Sequence, residues 1–315
     1  MENSLIYKAI DDPNLSEELF EKIPNEEKNN EEIKRESRTY LQNVWISFRA
    51  NKLAMFGLII IVIIIISAIL APMISNYTYD GQNFDRQNMG PSYMNLFGTD
   101  RFGRDIFIRC MYGARISLTI GFTAALIDFC LGTIYGGISG YFGGKVDLVM
   151  QRFSEILYGI PQMCYVLLIM MFFGSSIRTI VISLSVTYWI GTSRIVRGEI
   201  LSLKNQDFIM AAKVIGESDR RIIIRHLIPN CLNSVIVSVT FTIPSAIFLE
   251  AFLSFLGIGI QVPLASWGTL ANDAIPYLAR FPYQMIFPTI LISVTMFAFN
   301  FVGDGLRDAL DPKMK

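Results

Sequence analysis

Charge is scarce in this 315-residue sequence: Asp, Glu, Lys and Arg make up 17% of it, against roughly a quarter in ordinary soluble domains. With hydrophobic residues at 52%, that scarcity excludes a typical water-soluble globule. Histidine is rarer still. His226 stands alone, and a lone imidazole cannot build a metal centre, so it reads as a hydrogen-bonding structural residue. Cysteine is limited to Cys110, Cys130, Cys164 and Cys231, with no C-x-x-C pair. This excludes a zinc site or a disulfide framework and leaves four small apolar residues. A nucleotide-binding fingerprint is also missing. Gly144-Lys145 ends like a phosphate-binding loop, but Ser139 occupies the first glycine position and Val146 stands where Ser or Thr should hold magnesium. No nucleophile-plus-base constellation is evident, so no catalytic and no metal-ligating residue is assigned. Lys plus Arg equals Asp plus Glu at 27 each, and net charge therefore points to neither nucleic acid nor an acidic partner.

What the chain has in quantity is long apolar runs. Leu53 to Ser75 is almost free of polar side chains, and at about 1.5 Å of rise per residue it spans a hydrocarbon core of roughly 30 Å. Further blocks run from about Gly113 to Tyr141, Val149 to Phe173, Thr179 to Val196, Cys231 to Leu256 and Gln284 to Val302. The expectation is an all-α, multi-pass protein of the cell membrane with six transmembrane helices and both termini on one side. Residues 1–45 differ from everything after them: they are rich in Glu, Asn and Lys, hold eleven acidic residues up to Glu36, and read as a disordered or loosely helical tail. The first apolar block lies too deep to be a cleaved signal peptide. Placing the termini in the cytoplasm puts seventeen Lys and Arg, counted from Lys34 onward, on cytoplasmic segments against seven outside, which fixes that orientation by the positive-inside rule.

The resulting organisation is a cytoplasmic N-terminal tail over 1–45, the first span with a long outer segment over 46–111, a five-helix core over 112–305, and a cytoplasmic C-terminal tail over 306–315. Three connections exceed the usual 2 to 8 residues of helical bundles: 76–111 outside, 197–230 in the cytoplasm and 257–283 outside. Long ordered connections tend to carry function. In the second span Gly132, Gly136, Gly140 and Gly144 recur every fourth residue, a ladder that lets another helix backbone approach closely. Packing is the first reading of it, and substrate passage along a smooth face the second. Asp128 and Glu250 lie well inside apolar blocks, where an ionisable group marks either a water-filled pathway or a buried polar partner. For Glu250, Ser245 and Ser254 on the same helix are candidate partners; Asp128 is placed at a cavity wall or a subunit contact.

The strongest local pattern is QDFIMAAKVIGESDRRIIIRHLIPN from Gln206. Asp207 opens a short helix whose Phe208, Ala211, Ala212 and Ile215 fall at i, i+3, i+4 and i+7, one apolar stripe. Gly216 can take the left-handed conformation that ends it, Ser218 can cap a second helix, and Pro229 is expected to stop that one. Such a stripe either rests on the bundle or the lipid surface, or inserts into a groove on a soluble partner.

These residues resemble a known family. The segment Arg197 to Asn230, with Ala211-Ala212, Gly216 and the ending His226 to Asn230, is similar to the EAA loop of permease subunits in ATP-binding-cassette importers. FGTDRFGRD from Phe97, YGARISL from Tyr112, ISGYFGGKVD from Ile138, EAFLSFLGIG from Glu250, SWG from Ser266 and GDGLRDALDPKMK at the end narrow the resemblance to the C-type permeases of oligopeptide, dipeptide and nickel systems. It covers Trp45 to the end. Met210 stands where the motif's name-giving Glu belongs; peptide-type members often lack that Glu. Asp128 departs from the small or apolar residue expected there.

The resemblance implies a permease subunit of an ATP-driven importer for oligopeptides or dipeptides, with nickel or a nickel chelate as the alternative. It implies three kinds of partner besides the bilayer, a homologous second permease, two ATPases and an extracellular binding protein (lipoprotein or periplasmic), and no nucleic acid. This chain would bind no cofactor, ATP and Mg being used by the ATPases. Asp207, Phe208, Ala211, Ala212, Ile215 and Gly216 would form the coupling helix seated in an ATPase groove. From other classes, a self-contained channel or ion-coupled carrier predicts internal repeats and paired midplane charges, and a membrane-embedded enzyme predicts a catalytic constellation; neither is evident.

Overall fold

The computed structural model describes residues 39–261 and 263–311. The chain divides into units of residues 1–40 and 41–315; of the first, only Thr39 and Tyr40 are described, so the expectation of a disordered tail lies outside the described residues. Among the described residues there is no strand, only an isolated bridge between Thr99 and Asp105.

Helix α1 (Tyr40–Ala50) is separated from α2 (Lys52–Ile74) by Asn51, whose Oδ1 accepts from the amides of Leu53 and Ala54 at 3.1 Å. This cap satisfies two amides that the helix start leaves free. The expected boundary at 45 therefore falls within a helix. Along α2 the buried positions are Ala54, Gly57, Ile61, Ile64 and Ala68, a single stripe at helical spacing, while Phe56, Ile59, Ile63 and Ile66 on the other faces are exposed, as a lipid-facing surface demands.

Helix α3 (Ile106–Phe142) starts seven residues before the expected apolar block. Asp105 caps it, Oδ1 accepting from the Ile108 amide at 2.8 Å. Arg109 is admitted into the helix because Asp100 neutralises it at 2.6 Å. The expected boundary at 111 accordingly lies inside α3. A π-turn over Asp128–Gly132 interrupts it. The glycine ladder presses on the helix Ile177–Leu203 as far as Gly140; Gly143 and Gly144 have φ of +64° and +53° and form the turn beyond, so Gly144 is not part of the ladder.

The expected third span is two helices, α4 (Gly144–Gly159) and α5 (Gln162–Phe173), bent by 79°. Pro161 forces the break, since its ring removes an amide donor and clashes with the preceding turn. Then follow α6 (Ile177–Leu203), the short α7 (Asp207–Val214), α8 (Asp219–Phe255), α9 (Trp267–Ala274) and α10 (Tyr283–Leu310). Among the described residues five helices are long and apolar enough to cross a membrane, and the bent pair makes a sixth crossing if it counts as one span. Pro229 does not stop α8. The six residues before Ile228 form a π-turn, and the proline falls in the first turn of the α-helical run that begins there, where its missing amide costs little. Likewise α10 continues through 306–310, with Ala309 and Leu310 buried, so the start of the expected C-terminal tail is helix.

The core is formed where α2, α3, α8 and α10 meet, around Ile64, Leu118, Ile247 and Phe299. A second cluster joins α3, α5, α6 and α8 around Ile120, Val166, Ile180 and Leu253. The connection 257–283 is not a surface loop throughout. Its helix α9 begins with a reciprocal Ser266–Thr269 capping box, and Trp267 is fully buried with its indole N–H donated to the Cys110 carbonyl at 3.0 Å.

Candidate functional site

Three sets of residues bear on function: the short helix α7, a polar groove along α8, and the buried charges.

Helix α7 is apolar on two faces. Ile209 and Ala212 are buried in the chain's own cluster with Val196, Ile200, Ile222, Leu227 and Val235. Met210, Ala211, Val214 and Ile215 are exposed, with Phe208 at the edge. The expected single stripe is thus divided: Phe208, Ala211 and Ile215 face outward, and Ala212 faces the bundle. Because apolar residues surround the helix, spacing alone could not choose between the faces. Asp207 lies in the first turn and Lys213 in the last, each opposing the helix dipole favourably. Gly216, at φ +82°, ends the helix; its amide donates to the Lys213 carbonyl at 3.0 Å and the Glu217 amide to the Ala212 carbonyl at 3.1 Å, the paired bonds of a left-handed C-cap. Ser218 precedes α8 as expected, but its side chain makes no cap bond.

The loop is tied firmly to the bundle. His226 Nε2 meets Glu217 Oε2 at 2.7 Å, Tyr141 donates to Asp219 at 2.6 Å, and Lys204 Nζ donates to the Gly140 carbonyl at 3.0 Å. Close by, Arg197 makes a two-pronged bond to Asp147 at 2.6 and 2.5 Å, the strong geometry for a guanidinium. The ends of α3, α6 and α8 therefore hold α7 as one body.

Along α8 runs a stripe of polar residues that the apolar-block reading missed. Asn230, Ser234, Ser238, Thr242 and Ser245 recur at three or four residues and line two adjoining cavities, of about 870 and 640 Å³, that share Ser238 and Phe241. Tyr158, Gln162, Tyr165 and Tyr188 complete the smaller one. The helical period of these residues was the available signal; hydroxyls scattered through an apolar block hardly lower its mean hydropathy, which hides them.

Of the two intramembrane carboxyls, Glu250 is fully buried and accepts hydrogen bonds from Ser117 and Ser254, both at 2.8 Å. It lines neither cavity; Ser245, the other expected partner, donates instead to the Phe241 carbonyl. Asp128 is also buried, on the π-turn of α3, and accepts from Thr242 at 2.5 Å. It stands behind the cavity wall rather than at it. The three ladder glycines set the distance between α3 and α6: a Cβ at Gly132 would lie 2.8 Å from Thr192 Cβ, at Gly136 it would overlap the Ser193 carbonyl oxygen, and at Gly140 it would lie 3.0 Å from the carbonyl oxygen of Arg197. At the far end of the bundle, Asp100 binds Arg104 and Arg109 at 2.6 Å each, with Asp273 of α9 at 3.7 and 3.6 Å from the same pair. Among the described residues no cluster of three metal-ligating side chains occurs.

Residues 132–315 match the family described as binding-protein-dependent transport system inner membrane component, and residues 39–91 the N-terminal transmembrane domain of oligopeptide transport permease C. The chain is 48% identical to the dipeptide transport system permease protein DppC of Bacillus subtilis (strain 168), with 93% of this chain and 92% of that one covered. It is 46% identical to the oligopeptide transport system permease protein OppC of the same organism, over 96% and 99%. The corresponding OppC of Escherichia coli (strain K12) is 45% identical over 90% and 94%. Among solved structures, inward-facing MetNI methionine ABC transporter covers 65% of this chain and 96% of its own at TM-score 0.52 and 17% identity, a likeness of fold. With a helical multi-pass bundle and a family match over more than half its length, the chain belongs to the inner membrane components of binding-protein-dependent transport systems.

Proposed function

We propose that this chain forms half of the path by which an ATP-driven importer moves short peptides, and that α7 couples it to a partner ATPase. The observation that carries the reading is the outward face of α7. Met210, Ala211, Val214 and Ile215 are exposed on a helix whose opposite face is locked into the bundle, which suits a rigid knob for a groove on another protein. α7 also ends directly against α8, the helix that bears the polar stripe. A push on α7 is thereby transmitted to the groove wall, as alternating access between two states requires. Substrate class follows the relatives named for dipeptides and oligopeptides. In this reading the loop end of the bundle is cytoplasmic. Its Arg194, Lys213, Arg220, Arg221 and Arg225 support that side, whereas Arg104 and Arg109 at the other end are offset by Asp100. Asp207 and Gly216 frame the coupling helix, Phe208, Ala211 and Ile215 contact the ATPase, and Ala212 anchors the helix. A second permease completes the path, two ATPases bind ATP and Mg, and a binding protein delivers the substrate.

The test is copurification of ATPase subunits with this permease, together with ATP-driven peptide uptake. Ile215→Glu puts a carboxylate on an exposed position that docking buries, and an unpaired buried charge costs several kcal/mol. It should abolish ATPase retention and uptake while leaving membrane insertion intact. Retention equal to wild type with normal uptake would overturn the assignment.

A further inference from the structure

We propose that Asp128 is a positioning residue that makes the middle of the groove a subsite for N–H donors and cationic groups, which in a peptide are the main-chain amides and the protonated amines; this rests on the transport reading above. Asp128 is 1% exposed. Its Oδ2 accepts the Thr242 hydroxyl at 2.5 Å, with Thr192 beside it, and its Oδ1 has no hydrogen-bond partner among the described residues. Among the described residues neither oxygen meets a Lys, Arg or His. A carboxylate kept in apolar surroundings without a counter-charge is costly, and its persistence calls for a use. The π-turn at Asp128–Gly132 places it there, and such turns concentrate at functional sites.

The link to the groove is Thr242, which lines the 640 Å³ cavity. Since its proton is given to Asp128, the Thr242 oxygen can only accept from any further group that reaches it. Ser238, on the same wall, shares a hydrogen bond with Thr192 at 2.9 Å. None of the residues lining this cavity is charged, so the field behind Thr242 is not cancelled by the wall itself. The charged groups around it are Arg194, whose guanidinium lies 4.7 Å over the Tyr158 ring, and Glu199, Arg307 and Asp311 in the adjoining cavity. The outcome is a stretch of path that accepts hydrogen bonds and attracts positive charge.

The experiment uses the assembled importer in proteoliposomes, with the binding protein saturated by either Ala-Lys-Ala or Ala-Glu-Ala, so that the ratio of uptake rates reports passage rather than capture. Asp128→Asn keeps the shape and an acceptor for Thr242 but removes the charge. It should lower the Lys-to-Glu ratio about tenfold, a modest effect for one charge at this range in a low dielectric. Thr242→Val retains the charge and removes the acceptor; it should slow both peptides and leave the ratio close to wild type. A merely structural Asp128 would slow both peptides equally in Asp128→Asn, and that result, or an unchanged ratio, overturns the proposal. Absence of any peptide uptake by the wild-type assembly overturns the transport reading itself and this subsite with it.

Discussion

At the residue scale, the far end of the bundle hangs on one carboxylate. Asp100 accepts from Arg104 Nε and Arg109 Nη1, both at 2.6 Å, and from the amides of Phe102 and Arg104. Arg109 is 1% exposed. Asp100→Asn leaves two buried guanidinium groups with Asp273 at more than 3.5 Å as their remaining carboxylate. Breaking one side of a buried pair costs about 3–5 kcal/mol. The expected outcome is a lower yield of folded protein and a clear drop in the melting temperature of the purified assembly, whereas Asp273→Asn should produce a smaller drop because its pairs are long and it is more exposed. Equal losses in both variants would remove Asp100 from its central role. None of this was legible as a network in the sequence. Hydropathy read Arg109 as lying outside the span, because a window average cannot know that a charge nine positions earlier in the chain folds back to neutralise it.

At the scale of elements, the apolar blocks announced most of the long helices, and turn chemistry at Gly216 announced the end of α7. The direction in which α7 faces was not announced: Ile209 and Ala212 differ from Phe208 and Ala211 only in what lies beneath them. Nor was the path of α8 past Pro229, where the π-turn at Ile222–Leu227 absorbs a residue that usually ends a helix. The polar stripe on α8 was present in the letters but masked by averaging. Gly216 allows the element to be tested apart from its contacts. A Cβ there meets nothing within 4 Å, so Gly216→Val acts through backbone strain alone, about 1–2 kcal/mol against a left-handed conformation. It should re-aim α7, weaken ATPase retention in copurification and reduce uptake, while the apolar face itself is unaltered. Full retention in this variant would mean that the aim of the helix is immaterial to docking.

For the whole molecule, the bent pair α4 and α5 is sparsely covered, with Ser154, Tyr165, Val166 and Met170 its buried residues. Val149, Phe153 and Ile156 on α4 and Leu168, Met171 and Phe172 on α5 are exposed, beside the cavity to which Tyr158, Gln162 and Tyr165 contribute. If a second permease closes the groove, it stands against this pair. In a background lacking the exposed Cys130 and Cys164, Phe153→Cys and Met171→Cys should cross-link to the second permease within the assembled transporter. Exclusive reaction with a lipid-soluble probe, and no cross-link at either position, would assign that face to lipid and place the groove's closing surface elsewhere.

The seating of α2 on α10 also bears on the order in which the protein can be made. Ala54 packs against Gly305 and Gly57 against the carbonyl of Ala298, each at a distance that a Cβ on either glycine would violate. The span Lys52–Ile74 thus waits for Tyr283–Leu310, which leaves the ribosome later. At ~5–20 residues per second, the chain between them takes roughly ten to fifty seconds to emerge. During that interval α3 already flanks Ile64 and Ala68 of α2, but Ala54 and Gly57 have lipid or an insertion factor for company, and the Cys110 carbonyl still lacks the indole of Trp267. A ribosome stalled short of Tyr283 therefore leaves a nascent protein in which Ala54 and Gly57 of α2 have no α10 to seat against, the kind of exposed seam by which membrane quality control can tell an unfinished copy from a finished one.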